Sequence, residues 1–144
     1  MFVLDTNVVS ELMRPRPEPA VERWVSQHPL SGLYFTAIGE AELRYGVATM
    51  PRGARREALA AEIEGVVRDD LRDRVLPFDS QAARNYAKIA AKRRAEGRPA
   101  SHADCQIAAI ASSRNAAIVT RNTRDFEGTG IEIVDPWTFE EEAQ

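Results

Sequence analysis

Short apolar runs alternate along the chain with longer stretches in which apolar residues recur at helical spacing. The runs predict strands at 2–4, 33–35, 75–76, 117–120 and 131–134. The stretches between them predict helices at 8–13, 20–27, 54–74, 80–96 and 103–114, with one more helix between Thr36 and Pro51. Regular alternation of strands and helices predicts an α/β fold with a parallel sheet.

Polar residues at the helix starts predict the caps. Three helices begin directly after residues that commonly cap, namely Thr36, Asp79 and Ser101. For the first helix two interpretations stay open, because either Asp5 or the pair Thr6 and Asn7 can supply the cap. Gly97 and Asn115 are predicted to end the helices at 80–96 and 103–114.

Apolar positions also predict which face of each helix is buried. In the helix after Thr36 the predicted inward residues are Ile38, Ala41, Tyr45 and Ala48. In the helix at 80–96 they are Ala82, Ala83, Tyr86, Ile89 and Ala90. Charged residues are expected outside these faces, and the solvated surface is predicted to include Arg93, Arg94 and Arg98.

The composition excludes several classes of protein. The 144 residues predict one domain, 1–144, because no linker or repeat interrupts them. No apolar run approaches the ~20 residues of a membrane span, and the first residues lack a basic signal sequence. We therefore expect a cytoplasmic protein without membrane contact. The single Cys105 excludes a disulfide framework, and the net charge of −3 excludes a strongly basic nucleic-acid coat.

Four acidic residues stand at positions where a parallel sheet places its ligands. Asp5 directly follows the first predicted strand, and Asp125 lies shortly after the strand that ends at Thr120. Glu42 and Asp104 lie on helices among small and apolar neighbours. Each acid also has a purely structural interpretation: a helix cap, a solvated helix position, a capping box begun by a serine, or a turn.

Together the four acids indicate a cation. Carboxylates that converge without a basic partner repel one another, and oxygen-only ligands suit Mg²⁺ or Mn²⁺ rather than zinc. Such a site is typical of phosphodiester hydrolysis in which the metal activates a water molecule.

Four segments give the chain a resemblance to the PIN-domain proteins, and among them to the VapC/FitB-like toxins of bacterial toxin–antitoxin pairs. They are Val3-Leu4-Asp5-Thr6-Asn7, Ala41-Glu42-Leu43-Arg44-Tyr45-Gly46, Asp104-Cys105-Gln106-Ile107-Ala108-Ala109 and Thr120-Arg121-Asn122-Thr123-Arg124-Asp125-Phe126. The resemblance implies a three-layer α/β/α sandwich, a homodimer and a Mg²⁺- or Mn²⁺-dependent endoribonuclease that cleaves RNA. It also implies a small DNA-binding antitoxin whose tail occupies the active-site groove.

The resemblance assigns roles residue by residue. Asp5, Glu42 and Asp104 match the three core acids of the family. Many members have an acid where this chain has Asn122, so we expect Asp125 to be the fourth acid. The predicted catalytic set is Asp5, Glu42, Asp104 and Asp125, with Asp5, Asp104 and Asp125 on the metal. The residues expected to orient these acids or contact substrate are Thr6, Asn7, Thr120, Arg121 and Asn122.

Two other functions remain open. The first is a non-catalytic module of the same fold whose acid pocket captures an arginine from a partner. The second is a phosphatase that uses Asp5 as nucleophile; the sequence disfavours it, because Asn7 stands where such enzymes place a second acid and both lysines, Lys88 and Lys92, lie in one helix.

Overall fold

A five-stranded parallel sheet forms the middle of the molecule. The computed structural model describes residues 1–140, so the predicted domain end at 144 lies outside it. All strand pairs are parallel, and the strands lie in the order β3-β2-β1-β4-β5. Their bounds are Phe2–Leu4 for β1, Leu33–Thr36 for β2, Val75–Leu76 for β3, Ala117–Val119 for β4 and Ile133–Val134 for β5.

Six α-helices connect these strands within residues 1–140. They are α1 (Thr6–Leu12), α2 (Pro19–Ser26), α3 (Ala37–Ala48), α4 (Ala54–Gly65), α5 (Ser80–Ala95) and α6 (His102–Ser113). Shorter turns of 3₁₀ type lie at Leu30–Gly32, Thr123–Phe126 and Pro136–Thr138, and a π-helical turn spans Val66–Asp70. In this part of the chain no helix is long and apolar enough to cross a membrane.

The helices cover both faces of the sheet. Val3 of β1 packs on one face with buried residues of α5 and α6, including Ile89 and Ile107. Leu4, its neighbour in the same strand, packs on the opposite face with Val8 of α1 and Trp24 of α2. Alternate strand residues therefore fill two separate cores. The predicted α/β fold and its three-layer sandwich are confirmed.

The sheet register places the candidate site. β1 lies in the middle of the sheet, and the chain fills one side with β2 and β3 before it crosses to β4 and β5. Leu4 is paired with Val119, so the next residues, Asp5 and Thr120, leave the sheet side by side. Such a change of direction opens a crevice beyond the strand ends, where α/β proteins bind their ligands.

The predicted inward face of α3 is wrong for three of its four residues, although Ile38 packs against the core as expected. Tyr45 is 72% exposed, and Ala41 and Ala48 are exposed as well, whereas Gly39 and Val47 are buried. Gly39 lies so close to the ring of Phe35 that a side chain at this position would collide with it. The face of α3 that carries Gly39 therefore packs against the core, which the hydrophobic pattern of the sequence does not indicate.

Three further elements differ from the prediction by two residues or more at one end. The helix predicted at 54–74 ends at Gly65 and continues as the π-helical turn, which allows Leu71 to be buried. The last strand begins at Ile133 instead of 131. The first helix is capped by Asp5, so Thr6 and Asn7 are its first two residues rather than its caps. The predicted caps Thr36, Asp79 and Ser101 are confirmed.

On α5 the predicted inward face is partly wrong. Ala82 and Ile89 are buried as expected, but Ala83 is exposed. Arg93, predicted on the solvated surface, is only 5% exposed. Its guanidinium bonds to loop carbonyls, which are contacts that helical periodicity does not report.

Two glycines of α3 give a matched test of this packing. Gly39→Ala should lower the free energy of unfolding by about 1–3 kcal/mol, because the new methyl group would lie 2.4 Å from Cε1 of Phe35. Gly46→Ala, in the same helix but facing open space, should raise it by about 0.5–1 kcal/mol. Urea unfolding measures both, and equal effects of the two substitutions would contradict the close approach.

Candidate active site

Asp5 is the most enclosed of the predicted acids, being only 5% exposed. Its Oδ1 accepts a hydrogen bond from the backbone N–H of Thr6 at 2.8 Å, which caps α1. Its Oδ2 accepts from the hydroxyl of Thr120 at 2.8 Å and from Nδ2 of Asn7 at 3.2 Å. Within residues 1–140 no basic side chain forms an ion pair with Asp5. Three donors therefore orient the carboxylate without neutralising its charge.

The electrostatics of Asp5 follow from that enclosure. Burial raises the pKa of the Asp5 carboxyl to about 6 from its ordinary value of 3.8. The hydrogen bonds from Thr120 and Thr6 act in the opposite direction, while the negative charges of Asp104 and Glu42 raise the pKa further. Asp104 and Glu42 are thus close enough to Asp5 to repel it.

Thr120 and Asn7 connect the end of β4 to the start of α1. Thr120 is fully buried, and its hydroxyl oxygen accepts from Nδ2 of Asn7 at 3.2 Å and from the backbone N–H of Asn122 at 3.0 Å. Oδ1 of Asn7 in turn accepts from the backbone N–H of Arg121 at 3.2 Å. These bonds fix the loop after β4 relative to Asp5.

Glu42 reaches the site from α3. It is exposed, and its Oε1 accepts a hydrogen bond from the hydroxyl of Thr6 at 2.8 Å. Thr6 therefore donates to Glu42 through its hydroxyl and to Asp5 through its backbone N–H. The solvated interpretation of Glu42 is incomplete, because the carboxylate is directed to the site by this bond.

Asp104 lies in the first turn of α6 and is half-buried. Its backbone N–H donates to Oγ of Ser101 at 3.1 Å, so Ser101 caps α6 as predicted. Asp104 takes part in this cap and also lies in the acid cluster. Burial raises the pKa of the Asp104 carboxyl, the hydrogen bond with Ser101 lowers it, and the charges of Asp125 and Glu42 raise it again.

Asp125 and Asn122 occupy the loop that follows β4. Asp125 is exposed in the 3₁₀ turn, and its backbone N–H donates to the carbonyl of Asn122 at 3.1 Å. Its charge acts on Asp104, which brings the fourth predicted acid into the same cluster. Asn122 contributes its backbone N–H to Thr120.

The donor set fits a hard cation by its chemistry. The four side chains offer only carboxylate oxygens, which Mg²⁺ and Mn²⁺ prefer, and a bound cation would relieve their repulsion. Their side chains do not form a closed cage in this structure: within residues 1–140, no three His, Cys, Asp or Glu side chains are arranged to hold an ion.

Arg93 is a component of the site region that the sequence analysis missed. Its Nε donates to the carbonyl of Arg98 at 3.0 Å, and its Nη1 donates to the carbonyl of Glu127. The guanidinium thereby joins α5 to the loop before α6 and to the turn after Asp125, and its charge lowers the pKa of Asp104. Position 93 lies on the same face of α5 as Ala82 and Ile89, and this spacing could have indicated that Arg93 is buried.

A groove of about 780 Å³ runs along α3 and α4 and reaches Glu42, the one of the four acids that lines it. Thr6 and Glu42 lie on its wall. The rest of the lining is largely apolar and includes Met13, Leu43, Val47, Met50, Leu59 and Ile63. The groove therefore offers an apolar surface that leads to a negatively charged site.

An α/β fold with acids at the crevice beyond its central strands has clear relatives. The model of the PIN domain family matches residues 2–131, so the chain belongs to the PIN-domain family. It is 44% identical over 137 residues to "VapC ribonuclease Y4jK" of Sinorhizobium fredii, which covers 95% of this chain and 98% of that protein. It is 36% identical over 137 residues to "Toxin FitB" of Neisseria gonorrhoeae, which covers 95% and 99%.

A solved structure of FitAB bound to an IR36 DNA fragment contains a similar chain. The TM-score is 0.90 at 34% sequence identity, and the match covers 99% of this chain and 100% of that one. The resemblance to VapC/FitB-like toxins is therefore confirmed over nearly the whole length.

The raised pKa of Asp5 predicts how the metal-free protein responds to pH. Its folded-state value of about 6 exceeds the ordinary 3.8, so the stability that protonated Asp5 provides is complete below 3.8 and is lost as the pH rises through 6. Asp5→Asn avoids that loss. We compare the free energy of unfolding of Asp5→Asn with that of the parent in EDTA. The difference should shift in favour of the variant by about 2 kcal/mol when the pH is raised from about 4.5 to about 7.5.

Urea unfolding at the two pH values provides the measurement. Asp69→Asn, which changes an exposed acid of the π-helical turn, is the matched control and should show the same difference from the parent at both. A pH-independent difference for Asp5→Asn would contradict burial as the source of the shift.

Proposed function

We propose that this chain is the toxin of a toxin–antitoxin pair and acts as a Mg²⁺- or Mn²⁺-dependent endoribonuclease, in one PIN-like domain. The observation that carries the proposal is the buried, oriented and unpaired carboxylate of Asp5 with Asp104 and Glu42 beside it. One relative is named a ribonuclease and another a toxin, and these names support the two parts of the proposal.

In this proposal Asp5, Asp104 and Asp125 hold the metal and Glu42 completes the negative ring. A bound divalent cation supplies positive charge to phosphate oxygens and lowers the pKa of water. Asp5 is kept in one orientation by its bonds from Thr120 and Asn7, and Glu42 by its bond from Thr6. This support reduces the rearrangement that ligand binding requires.

The antitoxin is proposed to occupy the groove beside the acids. The apolar lining suits the hydrophobic face of a partner segment, and Glu42 on the groove wall suits a cationic side chain of that segment. The related FitAB assembly is bound to DNA, and we propose that in such a complex the partner, rather than this acidic chain, binds the DNA. We propose a homodimer as the form that the partner binds.

RNA cleavage tests the reaction. With Mn²⁺ the purified, partner-free chain should cut single-stranded RNA, and Asp5→Asn and Asp104→Asn should lose about 100-fold or more of the rate. Asp69→Asn should keep the rate, because Asp69 lies on the π-helical turn and is exposed. Partner binding without cleavage in any divalent metal would instead support the non-catalytic module that captures an arginine.

The ends of the products test the chemistry. In the proposed reaction the nucleophile is a water molecule, so the RNA 2′-hydroxyl needs no base; His102, two residues from Asp104, hydrogen-bonds to Tyr86. We expect a 5′-phosphate and a 3′-hydroxyl at each cut, identified by sequencing the ends. A 2′,3′-cyclic phosphate formed without metal would refute the proposed reaction.

The fourth acid is tested in the same assay. Asp125→Asn should lower the rate much more than Asn122→Ala, because it removes a charge from the cluster whereas Asn122 contributes its backbone to Thr120. The reverse order would assign the fourth position to Asn122.

A further inference from the structure

A second pocket, of about 460 Å³, lies near the C-terminal end of α1 and is separate from the apolar groove for most of its lining. Three arginines line it, Arg14, Arg16 and Arg121, together with the ring of Trp137. We call it the arginine pocket. A concentration of guanidinium groups is unexpected in a chain whose net charge is −3.

The acids in the pocket do not cancel this charge. Glu11 is buried; one of its oxygens pairs with Arg14 at 3.3 Å and the other accepts from the backbone N–H of Glu18 at 3.2 Å. Glu18 itself also lines the pocket. In the part of the chain that the structure describes, Arg16 and Arg121 form no ion pair, so three arginines face two acids.

Arg121 is held at both ends. Its backbone N–H donates to Oδ1 of Asn7, and its guanidinium carbon lies 5.3 Å from the centre of the Trp137 ring. Such cation–π contact restrains the side chain while its N–H groups remain available. Arg121 directly follows Thr120, whose hydroxyl donates to Asp5, so one wall of the pocket is adjacent in sequence to a residue that contacts a proposed catalytic acid.

The segment that carries Arg14 and Arg16 is restrained by its own sequence. Pro15, Pro17 and Pro19 alternate with the charged residues, and each proline fixes its own φ and restricts the residue before it. The arginines are therefore presented on stiff backbone, which lowers the entropy lost when they bind a ligand.

We propose that the arginine pocket binds phosphates of the RNA strand that flank the bond to be cut. The inference rests on the proposed ribonuclease function. Four acids repel an RNA backbone, so a strand whose reacting phosphate lies at Asp5 needs compensating positive charge nearby. Planar guanidinium groups bind phosphate through two parallel N–H donors, and grooves that combine positive charge with aromatic rings bind single strands.

Equilibrium binding separates the pocket from catalysis. The probe is a fluorescein-labelled, single-stranded RNA of mixed sequence, and the parent is Asp5→Asn, which leaves the strand uncut. Adding Arg16→Ala and Arg121→Ala should weaken binding and reduce the slope of log affinity against log salt by about 1.4, since each lost phosphate contact removes about 0.7. Arg16→Lys with Arg121→Lys should restore most of the slope, because the charge is kept.

The matched control adds Arg84→Ala and Arg114→Ala, which remove two exposed arginines that do not line the pocket and should leave the slope unchanged. An unchanged slope in the pocket variant, while the chain with Asp5 intact still cuts RNA, would overturn the pocket and leave the proposed function standing. If the intact chain neither binds nor cuts RNA, both are overturned. The pocket variant could instead lose binding of the protein partner while its salt dependence of RNA binding stays unchanged. That result would assign the arginine pocket to the partner and also overturn the proposal.

Discussion

The burial of one carboxylate, that of Asp5, is the constraint on which the rest of the site depends. The register between β1 and β4 places it beside Thr120, and the start of α1 supplies a backbone donor and Asn7. These donors orient the charge but do not neutralise it, because burial still raises the pKa of Asp5 to about 6. A fold that keeps an unpaired charge in its central crevice is suited to bind a cation there.

The other acids extend this arrangement from different parts of the chain. Asp104 arrives at the start of α6, Glu42 is directed by Thr6, and Asp125 lies on the turn after β4. Arg93 joins two of the segments involved by bonding to the carbonyls of Arg98 and Glu127. The tertiary structure therefore brings the acids together from distant segments of the chain.

Two surfaces of different character meet near α1. The groove along α3 and α4 is largely apolar and reaches Glu42, whereas the arginine pocket is basic and begins next to Thr120. In the proposed function the first surface receives a protein partner and the second receives the RNA backbone. Inhibition would then follow from occupation of the acids from the groove side, while the pocket retains its charge.

Local sequence signals predicted the strands, most helix caps and the α/β class, because hydrophobic runs and capping residues act within a few positions. The convergence of Asp5 with Asp104 and Glu42 was expected from the combination of an acid at a strand end with acids on helices beside the same crevice. The rotation of α3 was not, because it depends on the contact of Gly39 with Phe35. The burial of Arg93 was also missed, because one of its two partners, the carbonyl of Glu127, lies in a loop distant in sequence.

The most direct test of the account is the position of a cation in crystals of the partner-free chain. Crystals soaked in Mn²⁺ and measured near the manganese absorption edge should show an anomalous peak between the carboxylates of Asp5 and Asp104. The peak should be absent from Asp5→Asn crystals treated in the same way. A well-ordered site without a peak, or a peak only at other surface acids, would contradict the claim that the buried charge of Asp5 exists to bind a metal.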